Sequence, residues 1–147
     1  MTARAPSSIL FVCSENALRS PMAEAMVKHA YGDRVYVDSV GVRKGELDLL
    51  AVAVMQEIGI DISAHRAKSL DELLDTSFDL IVTLSPEAHH QALEWSRTRA
   101  AEVVYWPTYD PSATEGNREA RLAAYRDVRD STRALIADLF AGLKARG

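Results

Sequence analysis

A second cysteine is missing. Of 147 residues only Cys13 carries a thiol, so no intramolecular disulfide can form, and a reactive sulfur here suits a reducing compartment. Long apolar runs are missing too. The stretch from Ile9 to Cys13 is strand-sized, far short of a membrane span, and no basic segment leads into an apolar one as a signal peptide requires. These absences point to a cytoplasmic protein with no membrane partner. Neither sign of charge dominates: 17 Lys and Arg stand against 21 Asp and Glu, a net −4 with both signs interspersed. That balance argues against nucleic acid as a partner, and any anion binding has to arise from local geometry. Internal repeats, low-complexity tracts and linkers are also lacking. What remains, with 48% hydrophobic content, reads as a single domain over residues 1–147 that buries about 70% of the surface of its unfolded chain.

The informative segment is Ile9-Leu10-Phe11-Val12-Cys13-Ser14-Glu15-Asn16-Ala17-Leu18-Arg19-Ser20-Pro21. An apolar strand ends in the cysteine, five residues follow, and arginine closes the loop. Ser20-Pro21 then reads as a helix start, with Pro at the first helical position. A strand feeding a tight loop at a helix N-terminus gathers free N–H donors and the positive end of the helix dipole around one spot. The backbone of Ser14, Glu15, Asn16, Ala17 and Leu18 is thus expected to form a cradle for a tetrahedral oxyanion, and the same field favours the Cys13 thiolate. Arg19 offers a planar fork for two oxygens, a geometry lysine does not reproduce. A lone cysteine is often only a small buried hydrophobe, and arginine six positions later arises by chance in roughly one case in twenty. The ordered context of strand, loop and helix is what distinguishes this pair.

Along the chain, apolar runs and turn residues alternate in a βα pattern. Strands are expected near 8–12, 35–37, 78–84 and 103–106, and helices near 21–31, 49–58, 86–99 and from Asn117 or Arg118 onward, with a short one at 70–74. In the first helix Met22, Met26 and His29-Ala30 share a face, and in the last Leu122, Tyr125, Val128, Leu135, Ile136, Leu139 and Leu143 form the buried stripe. The class is α/β: a doubly wound, four-stranded parallel sheet with helices on both faces and a phosphate-binding loop after the first strand. Ligands of such sheets lie beyond the strand C-termini, where the Cys13 loop begins. Asp110, in Pro107-Thr108-Tyr109-Asp110-Pro111 after the fourth strand, falls on that same edge. It is either a turn-forming Asp-Pro or the acid that protonates a poor leaving group.

The chain resembles the low-molecular-weight protein tyrosine phosphatases and the arsenate reductases that share their fold. Val12-Cys13, Asn16 and Arg19-Ser20-Pro21-Met22-Ala23-Glu24 carry the resemblance, which resumes at Asp38-Ser39-Val40-Gly41, Gly59-Ile60-Asp61-Ile62 through His65-Arg66, Phe78 to Val82, and Asp110-Pro111. It implies a phosphatase acting through a phosphocysteine at Cys13, with Arg19 binding the oxyanion. Asp110 then serves as general acid and afterwards as the base that activates water. The resemblance also implies that Asn16 braces the loop and that Ser20 points its hydroxyl at the thiolate. From the residues alone, Asn16 reads equally as an asparagine tolerating a left-handed backbone, and Ser20 as a plain N-cap. No cofactor or metal is called for. His89 and His90 are adjacent, about 100° apart on a helix, and read as exposed residues rather than a metal pair. His65-Arg66 reads as a structural brace, and Trp95 and Trp106 as core.

Departures from the family pattern bear on substrate. Aromatic residues that usually follow Asp-Pro are replaced by Ser112-Ala113, and the facing wall by Gly41-Val42-Arg43-Lys44-Gly45-Glu46-Leu47. Glu15 adds a carboxylate to the loop, expected to point outward. Leu18 and Ser85 stand where relatives carry further cysteines, which closes a disulfide relay within the chain. Three readings follow. The first, and the leading expectation, is a cysteine-dependent phosphatase for a phosphotyrosine protein or a smaller aryl phosphate; the second is an arsenate reductase drawing on an external small thiol, and the third a module that binds phosphorylated ligands.

Overall fold

The computed structural model describes residues 5–74 and 77–143. Four strands, β1 (Ser8–Cys13), β2 (Tyr36–Gly41), β3 (Leu80–Thr83) and β4 (Glu102–Tyr105), alternate with α1 (Arg19–Tyr31), α2 (Leu49–Gln56), α3 (Pro86–Trp95) and α4 (Arg118–Leu139). Short 3-10 turns span Leu70–Glu72, Ser96–Thr98 and Pro111–Ala113. The sheet is parallel throughout, in the order β2-β1-β3-β4. This is the doubly wound α/β architecture, and the central strand β1 is the one that ends in Cys13.

Strand side chains alternate between faces, so a strand covered on both sides must be apolar along its whole length. β1 meets that condition. Ile9, Phe11 and Cys13 pack with Met22, Val27, Val54, Met55 and Tyr125 from α1, α2 and α4, and with Phe140 at the C-terminal cap of α4. Leu10 and Val12 pack on the other face with Ile81, Phe78 and the α3 residues Ala88 and Ala92. Both faces are therefore closed, and the carbonyl ends of β1 and β3 form the open edge where a ligand has access.

Several expected boundaries move. α1 starts at Arg19 rather than Pro21, with Leu18 in the cap position and no side-chain cap bond, which removes the N-cap reading of Ser20. Met22 and Met26 are buried as expected, whereas His29 is exposed. β2 runs on to Gly41 through the polar pair Asp38-Ser39, which its apolar pattern did not signal. α2 ends at Gln56, before Gly59 adopts a left-handed φ of 76°. In α4 the buried stripe runs Leu122, Tyr125, Val128-Arg129, Thr132, Ile136 in steps of three and four. Leu135 lies one residue off that stripe and is 39% exposed. Arg129 takes a place in the stripe because its guanidinium finds the Val54 carbonyl and the Glu57 and Asp130 carboxylates. Trp95 and Trp106 are partly buried at the margins of the two cores, Trp106 with its ring centroid 6.1 Å from that of Phe11.

Candidate active site

After Cys13 the chain curls through residues 14–18 before α1 begins. The curl is held from outside. Four backbone N–H groups of the segment after β2 donate to carbonyls along it: Val42 to Cys13, Arg43 to Ser14, Gly45 to Glu15 and Asp48 to Ala17. Turning the carbonyls outward leaves the loop's own N–H groups facing in, the condition for an anion cradle. Asn16 N–H already points at the Cys13 Sγ, 3.3 Å away. The two segments lie so close that a Cβ on Gly41 would stand 2.3 Å from the Arg43 carbonyl oxygen and 2.7 Å from Asn16 N. Only glycine fits there.

Beneath the cradle a buried polar network fixes each donor. Lys68 N–H donates to Asn16 Oδ1, so that atom is an acceptor and the His65 Nε2 that meets it at 3.0 Å carries the proton. The Asn16 amide is thereby oriented to donate from Nδ2 to Ser20 Oγ and Ser39 Oγ, and Ser39 passes its own proton to Glu24. Ser20, with its oxygen already engaged as acceptor, directs its hydroxyl at Sγ 2.8 Å away; the alternative acceptor, the Val40 carbonyl, is farther at 3.4 Å. Asn16 is fully buried and sits at φ 55°. The two readings of this residue, left-handed tolerance and loop brace, thus coincide. Burial holds the His65 imidazole below the ordinary histidine value, with the Glu24 carboxylate opposing.

A cavity of about 290 Å³ opens over the thiol, lined by Cys13, Glu15, Ala17, Leu18, Arg19, Glu46, Leu47, Asp48, Asp110 and Ser112. Cys13 and Arg19, from one loop, thus meet the sequence-distant Asp110 in one hollow. Arg19 Nη1 donates to the Thr108 carbonyl, which ties the fork to the loop bearing Asp110. Both Ser112 hydrogen bonds fall on Asp110 Oδ1, leaving Oδ2 for a ligand. The side chains of Ser14, Asn16 and Ser20 do not line the hollow: Ser14 bonds Ser85 Oγ, the cap of α3, and the other two are buried behind Cys13. Larger cavities exist, one of about 840 Å³ between residues 5–7 and 138–143, but none of their lining residues brings a thiol and a guanidinium together.

Glu46, Leu47 and Asp48 form the wall opposite Asp110. Glu46 and Leu47 belong to the segment read from sequence as the facing wall, whereas Asp48 was not singled out; what places the segment is backbone bonding to the cradle. Asp48 Oδ1 caps α2 while Oδ2 accepts the Tyr125 hydroxyl at 2.6 Å, so α4 supports the wall. Glu15 is exposed at the cavity mouth. Its Oε1 would lie 3.2 Å from a Cβ at Gly45. His89 is not an exposed helix residue but bonds Thr83 Oγ1 and stacks on Tyr105, while His90 is exposed. Among the described residues no group of three or more His, Cys, Asp or Glu could hold a metal ion, and no helix is long and apolar enough to cross a membrane.

Geometry of this kind suits attack by sulfur on a bound tetrahedral oxyanion, with charge stabilised by the cradle and a proton supplied from Asp110. Residues 8–145 match the family described as low molecular weight phosphotyrosine protein phosphatase. An arsenate reductase of Halalkalibacterium halodurans is 38% identical over 122 residues, covering 83% of this chain and 86% of that protein. Among solved structures, an arsenate reductase in the phosphate binding state superposes with a TM-score of 0.78 at 26% identity, covering 94% of this chain and 99% of the other. A low molecular weight protein tyrosine phosphatase from T. tengcongensis superposes at 0.74 and 28% identity, covering 92% and 99%.

Proposed function

Since the chain belongs to the low molecular weight phosphotyrosine protein phosphatase family, we propose that it is an enzyme of that family acting as an arsenate reductase, with an external thiol as reductant. The observation that carries this reading is the make-up of the cavity over Cys13. It has a cradle, a guanidinium and a carboxyl for an oxyanion, and no aromatic residue among its lining to hold a phenyl ring. The 38% identity to an arsenate reductase supports it as well. This reverses the order of the two catalytic readings drawn from sequence.

In the proposed reaction the Cys13 thiolate attacks arsenic, forming an S–As bond as one As–O bond breaks. Arg19 and the inward N–H groups carry the negative charge that develops on the remaining oxygens, and Asp110 Oδ2 gives a proton to the departing oxygen, which leaves as water. An external thiolate then attacks Sγ. The S–As electron pair passes to arsenic, which is released as arsenite, reduced by two electrons, and Cys13 is left in a mixed disulfide. A second external thiol restores the Cys13 thiolate. With Cys13 the only cysteine, both reducing sulfurs come from outside the chain.

Phosphomonoester hydrolysis is the second reading, favoured by Asp110 at the cavity mouth and by the likeness to a tyrosine phosphatase. Parallel assays separate the two. Arsenate supplied with a small thiol is expected to give arsenite in wild type and none in Cys13→Ser, with weak turnover of p-nitrophenyl phosphate. Efficient p-nitrophenyl phosphate hydrolysis without arsenite production would make the protein a phosphatase.

A further inference from the structure

The segment that straps the cradle carries the cations Arg43 and Lys44 and the carboxylate of Glu46, and the structure sorts them. Arg43 turns away to a two-pronged pair with Glu87 at 2.9 Å, and Lys44 pairs with Glu72 at 3.0 Å. Glu46, two residues on, has no such partner among the described residues and lines the cavity. Glu15, which also feels the Arg43 guanidinium, joins it from the cradle side, with Asp48 and Asp110 completing the lining, against a single lining guanidinium, Arg19. Arg19 sits at the floor beside Cys13, where the oxyanion binds and neutralises it. The outer mouth is therefore negative once the oxyanion is seated. Whatever approaches Sγ second has to cross it.

We propose that Glu15 and Glu46 select the second reactant by charge, favouring a thiol with a cationic group beside its sulfur over an anionic thiol. This rests on the arsenate reductase reading and deepens it. The step concerned is the attack of the external thiolate on Sγ of the Cys13–arsenic adduct, whose products are the mixed disulfide and arsenite. A thiolate and a dianionic adduct repel each other, so a positive group carried next to the sulfur and received by the two carboxylates lowers the barrier to approach. Exposed charges several ångströms apart in a water-filled mouth change a rate by a few-fold each and are damped by salt.

The test compares three thiols of similar size, cysteamine (cationic), 2-mercaptoethanol (neutral) and 3-mercaptopropionate (anionic), as reductants for arsenate at low ionic strength. Wild type and Glu15→Gln/Glu46→Gln are assayed side by side, with kcat/KM expressed per thiolate. Intrinsic nucleophilicity cancels in the ratio of the two proteins. The expected result is that wild type ranks cysteamine first and 3-mercaptopropionate last, and that the variant narrows this span about tenfold, chiefly by accelerating the anionic thiol. An unchanged span, or equal slowing of all three, overturns the proposal. Alkylation of Cys13 without arsenate supplies the second reading. The variant should gain more with iodoacetate than with iodoacetamide. If no thiol yields arsenite but that gain appears, the reductase reading fails while charge selection at the mouth stands; if the gain is absent, the selection itself is refuted.

Discussion

Ser20 has one proton, and its neighbours decide where it goes. Because Asn16 Nδ2 occupies its oxygen and Asn16 is oriented by Lys68 N–H, the proton is left for Sγ at 2.8 Å. Ser20→Ala removes a donor to a charged sulfur, an interaction worth about 1.5–3 kcal/mol. The variant should lose roughly tenfold to a hundredfold in kcat, and its Cys13 should alkylate more slowly than wild type at neutral pH; an unchanged alkylation rate would remove Ser20 from the thiolate's support. Arg19→Lys keeps the charge but not the fork, so KM for arsenate should rise about tenfold or more, measured by initial rates at saturating thiol. At this scale the sequence was informative where a residue type has one chemical use: Cys13, Arg19 and Asp110 were legible, and they meet in one cavity. Thr108 was not, because it acts through a backbone carbonyl that any residue supplies.

Among the elements, the strap over residues 42–48 has the least sequence signal and the largest effect on the site. It is neither strand nor helix, so hydrophobic period says nothing of it, yet its N–H groups turn the cradle carbonyls outward. Gly41 lets it approach. Any side chain at Gly41 meets backbone atoms on both sides, and Gly41→Ala is expected to destabilise the protein by several kcal/mol and abolish oxyanion binding, read by denaturant midpoint and by phosphate protection of Cys13. Its far end hangs on Asp48, held by the buried Tyr125, whose hydroxyl is pushed up by burial and by the Asp48 carboxylate. Tyr125→Phe leaves Asp48 Oδ2 without that donor, at about 1–3 kcal/mol. A wild-type unfolding midpoint in this variant would show that α4 does not support the wall. Helices and buried strands were legible within a few residues because periodicity reports burial. β2 was cut short because Asp38 and Ser39 break its apolar run while serving the network of Asn16 and Lys68.

For the whole molecule, two closed faces and one open edge follow from the alternation along β1, and that much was readable from an apolar run ending in cysteine. The stripe of α4 was readable except where a charged residue takes a buried place, as Arg129 does by pairing with Glu57, Asp130 and a carbonyl. Those pairs bear on acid stability. Hydrogen bonds from Arg126 and Arg129 hold the Glu57 carboxyl down from 4.5 to about 2, a stabilisation present above 4.5 and lost as pH falls toward 2, and small because the group is exposed. His65 acts earlier. With its folded value below the ordinary 6.5, the unfolded chain binds more protons there, so stability is complete above 6.5 and declines as pH drops below it. His65→Gln keeps a donor for Asn16 without the titration and should flatten Tm between pH 6.5 and 5; an equal slope would assign the decline to other groups.

The most direct measurement is mass spectrometry of the intact protein quenched during turnover with arsenate and cysteamine, with arsenite resolved in the same samples. The account predicts arsenite accumulation together with a cysteamine mixed disulfide on Cys13, both absent from Cys13→Ser. Arsenate left unreduced at every thiol tested, in a wild-type protein that hydrolyses p-nitrophenyl phosphate through Cys13, would contradict it.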